Sequence, residues 1–152
     1  MRKGLTLVEI IIAVAVMVIL MGVYFLVANP NGQLASARNS RRLLDLQLIG
    51  NTIRENYTDS GNETFTCAAG PIPATTTNMG SASGSYNIAP CIVLAQYGMY
   101  SMPFDPRPSG TTAYYNSVAD YNSGYSIAIS ASGTITLKAP SAELNKTVSV
   151  TR

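Results

Sequence analysis

The chain has 152 residues, 47% of them hydrophobic and only 12% charged, with a formal net charge of +2. That length suits one domain with at most an appendage, and the composition is too apolar for a disordered chain. The small net charge argues against a dedicated nucleic-acid binder. The lack of histidine excludes His-based triads and His-containing zinc sites. Two cysteines cannot make an all-cysteine zinc site or an iron–sulfur cluster within one chain.

The hydrophobicity is concentrated at the start. Ile10 to Ala28 is a run of 19 residues without a charge, preceded by Leu5, Thr6, Leu7, Val8 and Glu9. As a helix, residues 5–28 would be about 36 Å long, enough to cross a hydrocarbon core of ~30 Å. Arg2 and Lys3 on the N-terminal flank keep that end cytoplasmic under the positive-inside tendency, with the rest of the chain outside. The run is longer than the apolar region of a secretory signal, and Asn29-Pro30-Asn31-Gly32 stands where a small-x-small cleavage site would follow. An anchor is therefore expected. Glu9 has two readings: a carboxylate at headgroup level, where it costs little, or an intramembrane acid awaiting a cationic partner.

Met1-Arg2-Lys3-Gly4-Leu5-Thr6-Leu7-Val8-Glu9 resembles the class III signal of type IV pilins and pseudopilins. In that family a short basic leader ends in Gly. An apolar residue, Thr, Leu, an aliphatic residue and Glu follow, and then a long apolar helix. The match holds at Lys3, Gly4, Thr6, Leu7, Val8 and Glu9 and departs at Leu5, where Phe is commonest. The resemblance implies that a prepilin peptidase cuts between Gly4 and Leu5 and then methylates the new amine of Leu5. Loss of Arg2 and Lys3 takes the ten basic side chains to eight, equal to the acidic count. In a filament the Leu5 amine of one subunit would meet Glu9 of a neighbour in an apolar surround, each charge compensating the other. The family usually carries its helix-weakening proline earlier than Pro30.

Asn29-Pro30-Asn31-Gly32 is a breaker cluster, read as a kink rather than a linker because helical periodicity resumes at once. From Gln33 to Tyr57, the residues Leu43, Leu46, Ile49, Ile53 and Tyr57 recur three or four apart, as one apolar helix face requires. Leu34, Ala37, Leu44 and Leu48 form a second stripe, available to filament neighbours. Arg41 or Arg42 can pair with Asp45 for a few tenths of a kcal/mol, roughly. A solvated helix face, pairing between subunits and contact with anionic headgroups remain open for the arginines around Arg38. Asp59-Ser60-Gly61-Asn62 ends the helix.

Thr64 to Ile88, rich in Thr, Ser, Ala and Gly, reads as a surface loop. Cys67 and Cys91 bracket most of it, and in an exported domain they read as one disulfide, with two buried thiols as the alternative. Closing that segment would restrict the unfolded state by roughly 3.5 kcal/mol. Ile92, Val93, Leu94 and Tyr97 suggest a short helix or strand. Met102-Pro103-Phe104-Asp105-Pro106-Arg107-Pro108 resembles the proline turn ahead of the sheet in pseudopilins. Gly124 to Ala131 alternates, with Tyr125, Ile127, Ile129 and Ala131 on one face. Ser132-Gly133 turns the chain, Thr134–Lys138 returns it, and Thr147–Thr151 can add a third strand.

These elements predict an α+β fold: a long N-terminal helix, first hydrophobic and then amphipathic, packed on a small antiparallel β-sheet head, the pilin fold. The parts are a leader (1–4), a transmembrane or filament-core helix (5–28), an amphipathic helix (29–57) and a globular head (58–152). No catalytic constellation, cofactor or metal site is expected, and the chain reads as a structural protein, not an enzyme. Asp105 and Asp120 could reach a calcium ion such as related secretion pseudopilins bind, but the turn Ser130-Ala131-Ser132-Gly133 supplies no acid. Asn56, Asn62 and Asn145 head N-glycosylation sequons of the kind that arise by chance in Asn/Thr-rich text. The partners implied are further copies in a helical filament, the prepilin peptidase, pilus or secretion assembly machinery and, before assembly, the cytoplasmic membrane; after assembly the chain would be on the cell surface. The alternatives are a type II secretion pseudopilin or a non-polymerising membrane-anchored ligand- or DNA-binding protein.

Overall fold

A computed structural model describes residues 4, 6–59, 61, 64–107, 109–110 and 112–152. The chain divides into two compact units, Met1–Ala35 and Ser36–Arg152. Helix α1 (Leu7–Ala28) occupies the first, and helix α2 (Pro30–Asp59) begins there and runs on through the second. Asn29 separates them in the left-handed conformation, with φ 36° and ψ 65°. Its carbonyl accepts from the Gln33 N–H and its side chain from the Gly32 N–H, so the helical bond pattern restarts at the break. The interruption is therefore one residue long. Pro30 takes the first position of the new helix, where its missing N–H costs nothing.

The second unit is a helix laid on a sheet. Among the described residues the sheet has five antiparallel strands: β1 (Thr77–Gly80), β2 (Tyr114–Ser117), β3 (Asp120–Ile129), β4 (Ile135–Ala139) and β5 (Val148–Thr151). The central β3 pairs with β1 on one side and with β2 and then β4 on the other, and β5 extends β4. The fold class is thus the predicted α+β arrangement of a long N-terminal helix and a small antiparallel sheet. Two strands depart from expectation. β1 lies inside the stretch read as loop, and β2 was given no element. Neither Thr77-Asn78-Met79-Gly80 nor Tyr114-Tyr115-Asn116-Ser117 alternates in polarity; each is held by pairing with β3, whose ten residues extend four places upstream of the predicted start. A short helix α3 (Ala89–Ile92) ends where the element expected from Ile92 to Tyr97 begins, and a single 3-10 turn (Ala95–Tyr97) takes the rest of that stretch.

The expected alternation holds at Tyr125 and Ile127 and begins upstream at Tyr121, but the strand ends at Ile129, Ala131 is exposed beyond it, and Ser126 on the opposite face is buried as well. Tyr121, Ser123, Tyr125 and Ile127 are buried on one face, and Tyr121, Tyr125 and Ile127 share one cluster with Leu46, Ile49 and Ile53 of α2 and with Ile135 and Leu137 of β4. Burying side chains of this size stabilises the head by about 1.5–3 kcal/mol each. Three buried tyrosines keep their hydroxyls bonded, as burial requires. Tyr125 donates to Asp45 at 2.8 Å, Tyr86 donates to the Gly70 carbonyl at 2.7 Å, and Tyr121 accepts from the Ala89 N–H at 3.1 Å. Burial pushes the Tyr86 hydroxyl up to about 12. The β3–β4 hairpin closes through Gly133 at φ +82°, a conformation that favours glycine.

Cys67 and Cys91 form a disulfide with Cα atoms 5.2 Å apart. Beside it Asn56, buried on α2, donates to the carbonyls of Thr66 and Cys91 and accepts from the Thr66 N–H. One amide thus fixes the chain next to each cysteine, which also shuts the Asn56 sequon inside the fold. Asn145 is exposed, while Asn62 lies outside the described residues. Replacing Cys67 and Cys91 together by Ser should lower stability by about 2–4 kcal/mol. In urea titrations the wild-type head should become reductant-sensitive and the double variant should not.

Candidate functional site

Two constellations stand out, one in each unit. The first is the start of α1. Thr6 is its N-cap and Glu9 its third residue. The Thr6 N–H and hydroxyl both donate to Glu9 Oε2 at 2.9 Å, and the Glu9 N–H donates to Thr6 Oγ1 at 3.3 Å. This capping box satisfies two orphan donors of the first turn and sets a negative charge at the positive end of the helix dipole. The Thr6-x-x-Glu9 spacing is itself the sequence signal for this box. Gly4 is exposed, while Leu5, Arg2 and Lys3 lie outside the described residues.

From that box α1 runs for 22 residues, about 33 Å at 1.5 Å per residue. Its apolar side chains are exposed along the length, from Leu7 through Met17 to Val27. The helix is long and apolar enough to cross a membrane by length and composition. A contiguous exposed surface of this kind needs a nonaqueous partner.

The second constellation is a buried ionic cluster in the head. Arg42 is fully buried on α2, one turn before Leu46 and on the same face. Its Nε and Nη2 donate to the two carboxylate oxygens of Asp105 at 2.8 and 2.9 Å. Nη1 donates to Asn39 Oδ1 and Glu143 Oε2, and Nη2 donates also to the Arg107 carbonyl. All five guanidinium donors are therefore used. Asn39 in turn bonds both backbone groups of Glu143, and Arg38 grips its carboxylate at 2.6 and 2.8 Å. Asp105 also accepts from the Arg107 N–H, which shapes the proline turn around it.

This geometry corrects two expectations. Of the two arginines expected beside Asp45, Arg42 does not pair with it and is buried instead of solvated, while Arg41 acts on Asp45 through its nearby charge and Asp45 accepts from Tyr125. Burial raises the Asp45 carboxyl, opposed by the Tyr125 bond and the nearby Arg41 charge. Neither acid considered for calcium is unengaged. Asp105 neutralises Arg42, and Asp120 accepts from Tyr114 and Asn116. Among the described residues no group of three or more potential metal-ligating acids or cysteines gathers. Asn39 and Glu143 carried no signal, because their roles depend on contacts more than a hundred residues apart in sequence.

Bonds from Arg38, and then from Arg42, hold the Glu143 carboxyl well below the usual carboxylate range, to about 2. Because the folded value lies below the unfolded one near 4.5, its contribution is complete above that pH and is lost as pH falls towards 2. Asp45, shifted the other way, offsets part of the loss. Melting curves should therefore show the head weakening between about pH 4.5 and 2, and Glu143→Gln should flatten that slope. Arg42→Ala should cost about 3–5 kcal/mol in urea unfolding, because it strands Asp105. The apolar pair Arg42→Met with Asp105→Leu should recover most of that loss.

Residues 1–25 match the family model of the prokaryotic N-terminal methylation motif. No curated protein and no solved structure matches the chain. The motif is the class III signal peptide of type IV pilins, and it covers the Gly4 site, the capping box and most of α1. It supports reading the chain as a type IV pilin-like or pseudopilin precursor.

Proposed function

We propose that the chain is the structural subunit of a type IV pilus-like filament and has no catalytic activity of its own. The observation that carries this reading is the coincidence of the methylation motif with an exposed apolar helix that starts two residues after the expected cut. Before assembly α1 would hold the protein in the cytoplasmic membrane with the head outside. Prepilin peptidase would cut after Gly4 and methylate Leu5. The capping box lies downstream of that cut, so Thr6 and Glu9 stay together in the mature chain.

Assembly would then place the Leu5 amine of one subunit near Glu9 of another. Both bonds from Thr6 end on Oε2, and a carboxylate has about four acceptor positions. The carboxylate can thus cap its own helix and accept from an incoming amine together. In an apolar surround that charge-assisted bond favours one axial register over its neighbours. The proline turn around Asp105 supports a second reading, a type II secretion pseudopilin, which shares the processing step.

Mass spectrometry of sheared surface filaments should find this chain beginning at N-methylated Leu5. Glu9→Ala should leave cleavage intact but sharply reduce the filaments seen by electron microscopy. Filaments in normal number from that variant would remove Glu9 from the assembly step.

A further inference from the structure

The head has an apolar cavity of about 680 Å³ between α2, the disulfide-tethered loop and the β3–β4 hairpin. Ile53 and Ile135, both buried, make its floor, and the half-buried Phe65 and Ile129 make its walls. The charged side chains that line it are Arg54 and Arg152, both exposed, and none of its described lining residues has an acidic side chain. The ion pairs among the described residues involve neither arginine.

The two cations are positioned by separate devices. Arg54 stands one helical turn beyond Gly50 on α2, on the wall of the cavity. Arg152 follows the last strand, and its backbone N–H and carbonyl both bond Ile135, at 2.9 and 2.8 Å. Its side chain then lies over the helix at Gly50, where an added Cβ would sit 3.4 Å from Arg152 Cγ and 3.6 Å from Nε. A glycine inside a helix costs about 1 kcal/mol relative to alanine. The contacts such a Cβ would make with Arg152 are ordinary van der Waals ones, so alanine fits at Gly50 too, and Asn51 accepts from Arg152 Nη2. The result is an apolar cavity of ligand size with two arginines among its lining residues.

We propose that this cavity binds a small amphipathic organic anion: a carboxylate on an aromatic or medium-chain aliphatic body. The apolar floor takes the body and the arginine pair takes the carboxylate, for which guanidinium is the fitting donor. The site lies wholly in the head and does not depend on the filament reading.

The test uses the full chain in lipid nanodiscs, labelled at the isoleucine methyls and titrated with 4-phenylbutyrate. The methyls of Ile53, Ile129 and Ile135 should shift saturably, while those of Ile10–Ile12 in α1 stay still. 4-Phenylbutanol, with a matching body but no charge, should bind about tenfold more weakly. Arg54→Gln and Arg152→Gln, both at exposed positions that leave the fold intact, should each weaken the acid and not the alcohol. Equal affinity for acid and alcohol would overturn the proposal, as would the lack of a saturable shift. So would acetate alone reproducing the shifts, which means an adventitious anion, or shifts that follow protein concentration, which means the cavity is filled by a second copy.

Discussion

The head is organised around a guanidinium placed where water cannot reach it. Removing an arginine from water costs several kcal/mol, and the cost is met only when every donor finds an acceptor and the charge finds a counter-charge. Asp105 supplies both in bidentate form, and Asn39, Glu143 and the Arg107 carbonyl take what is left. The acceptors come from three parts of the chain. The turn that leads towards β2, the turn between β4 and β5 and the helix are thus drawn to one point. Apolar packing alone would hold these segments near each other; a fixed fork of five donors also fixes their register.

The buried stripe of α2 shows how this is achieved. Asn39, Arg42, Leu46, Ile49, Ile53 and Asn56 succeed one another at spacings of three and four, and all are buried. The stripe is apolar only in the middle. At either end a polar residue faces the head and bonds the backbone of a loop: Asn39 to Glu143 at one end, Asn56 to Thr66 and Cys91 at the other. The helix thus works as a ruler. Its centre packs on the sheet, while its ends pin segments that have too little apolar surface to pin themselves.

That pattern explains what could be read beforehand. The middle of the stripe followed from apolar periodicity, and so did the central hairpin, where Tyr125 and Ile127 alternate with smaller residues. The start of α1 was equally legible, because leader, Gly4, Glu9 and apolar run lie within one stretch of sequence. Periodicity places Leu43 on the core face, but it is exposed and the face continues through Arg42 instead. A hydropathy pattern takes a buried arginine for the edge of the stripe. β1 and β2 escaped notice for a related reason: each is short and polar and owes its conformation to a neighbouring strand.

The reach of the ionic cluster also bears on the order in which the molecule can be completed. Arg42 and Glu143 stand 101 positions apart, and β5 lies further along still. Loop-closure entropy makes contacts of that span late events in folding. A ribosome delivers this chain from its N-terminus, so α2 can form while Glu143 is still unmade. Once Asp105 is made it can take two of the Arg42 donors, but the donor that Glu143 accepts from is left to water for that interval. The segment that carries Glu143 therefore completes the cluster: until it is in place, Arg42 lacks one of its acceptors and Arg38 lacks its carboxylate.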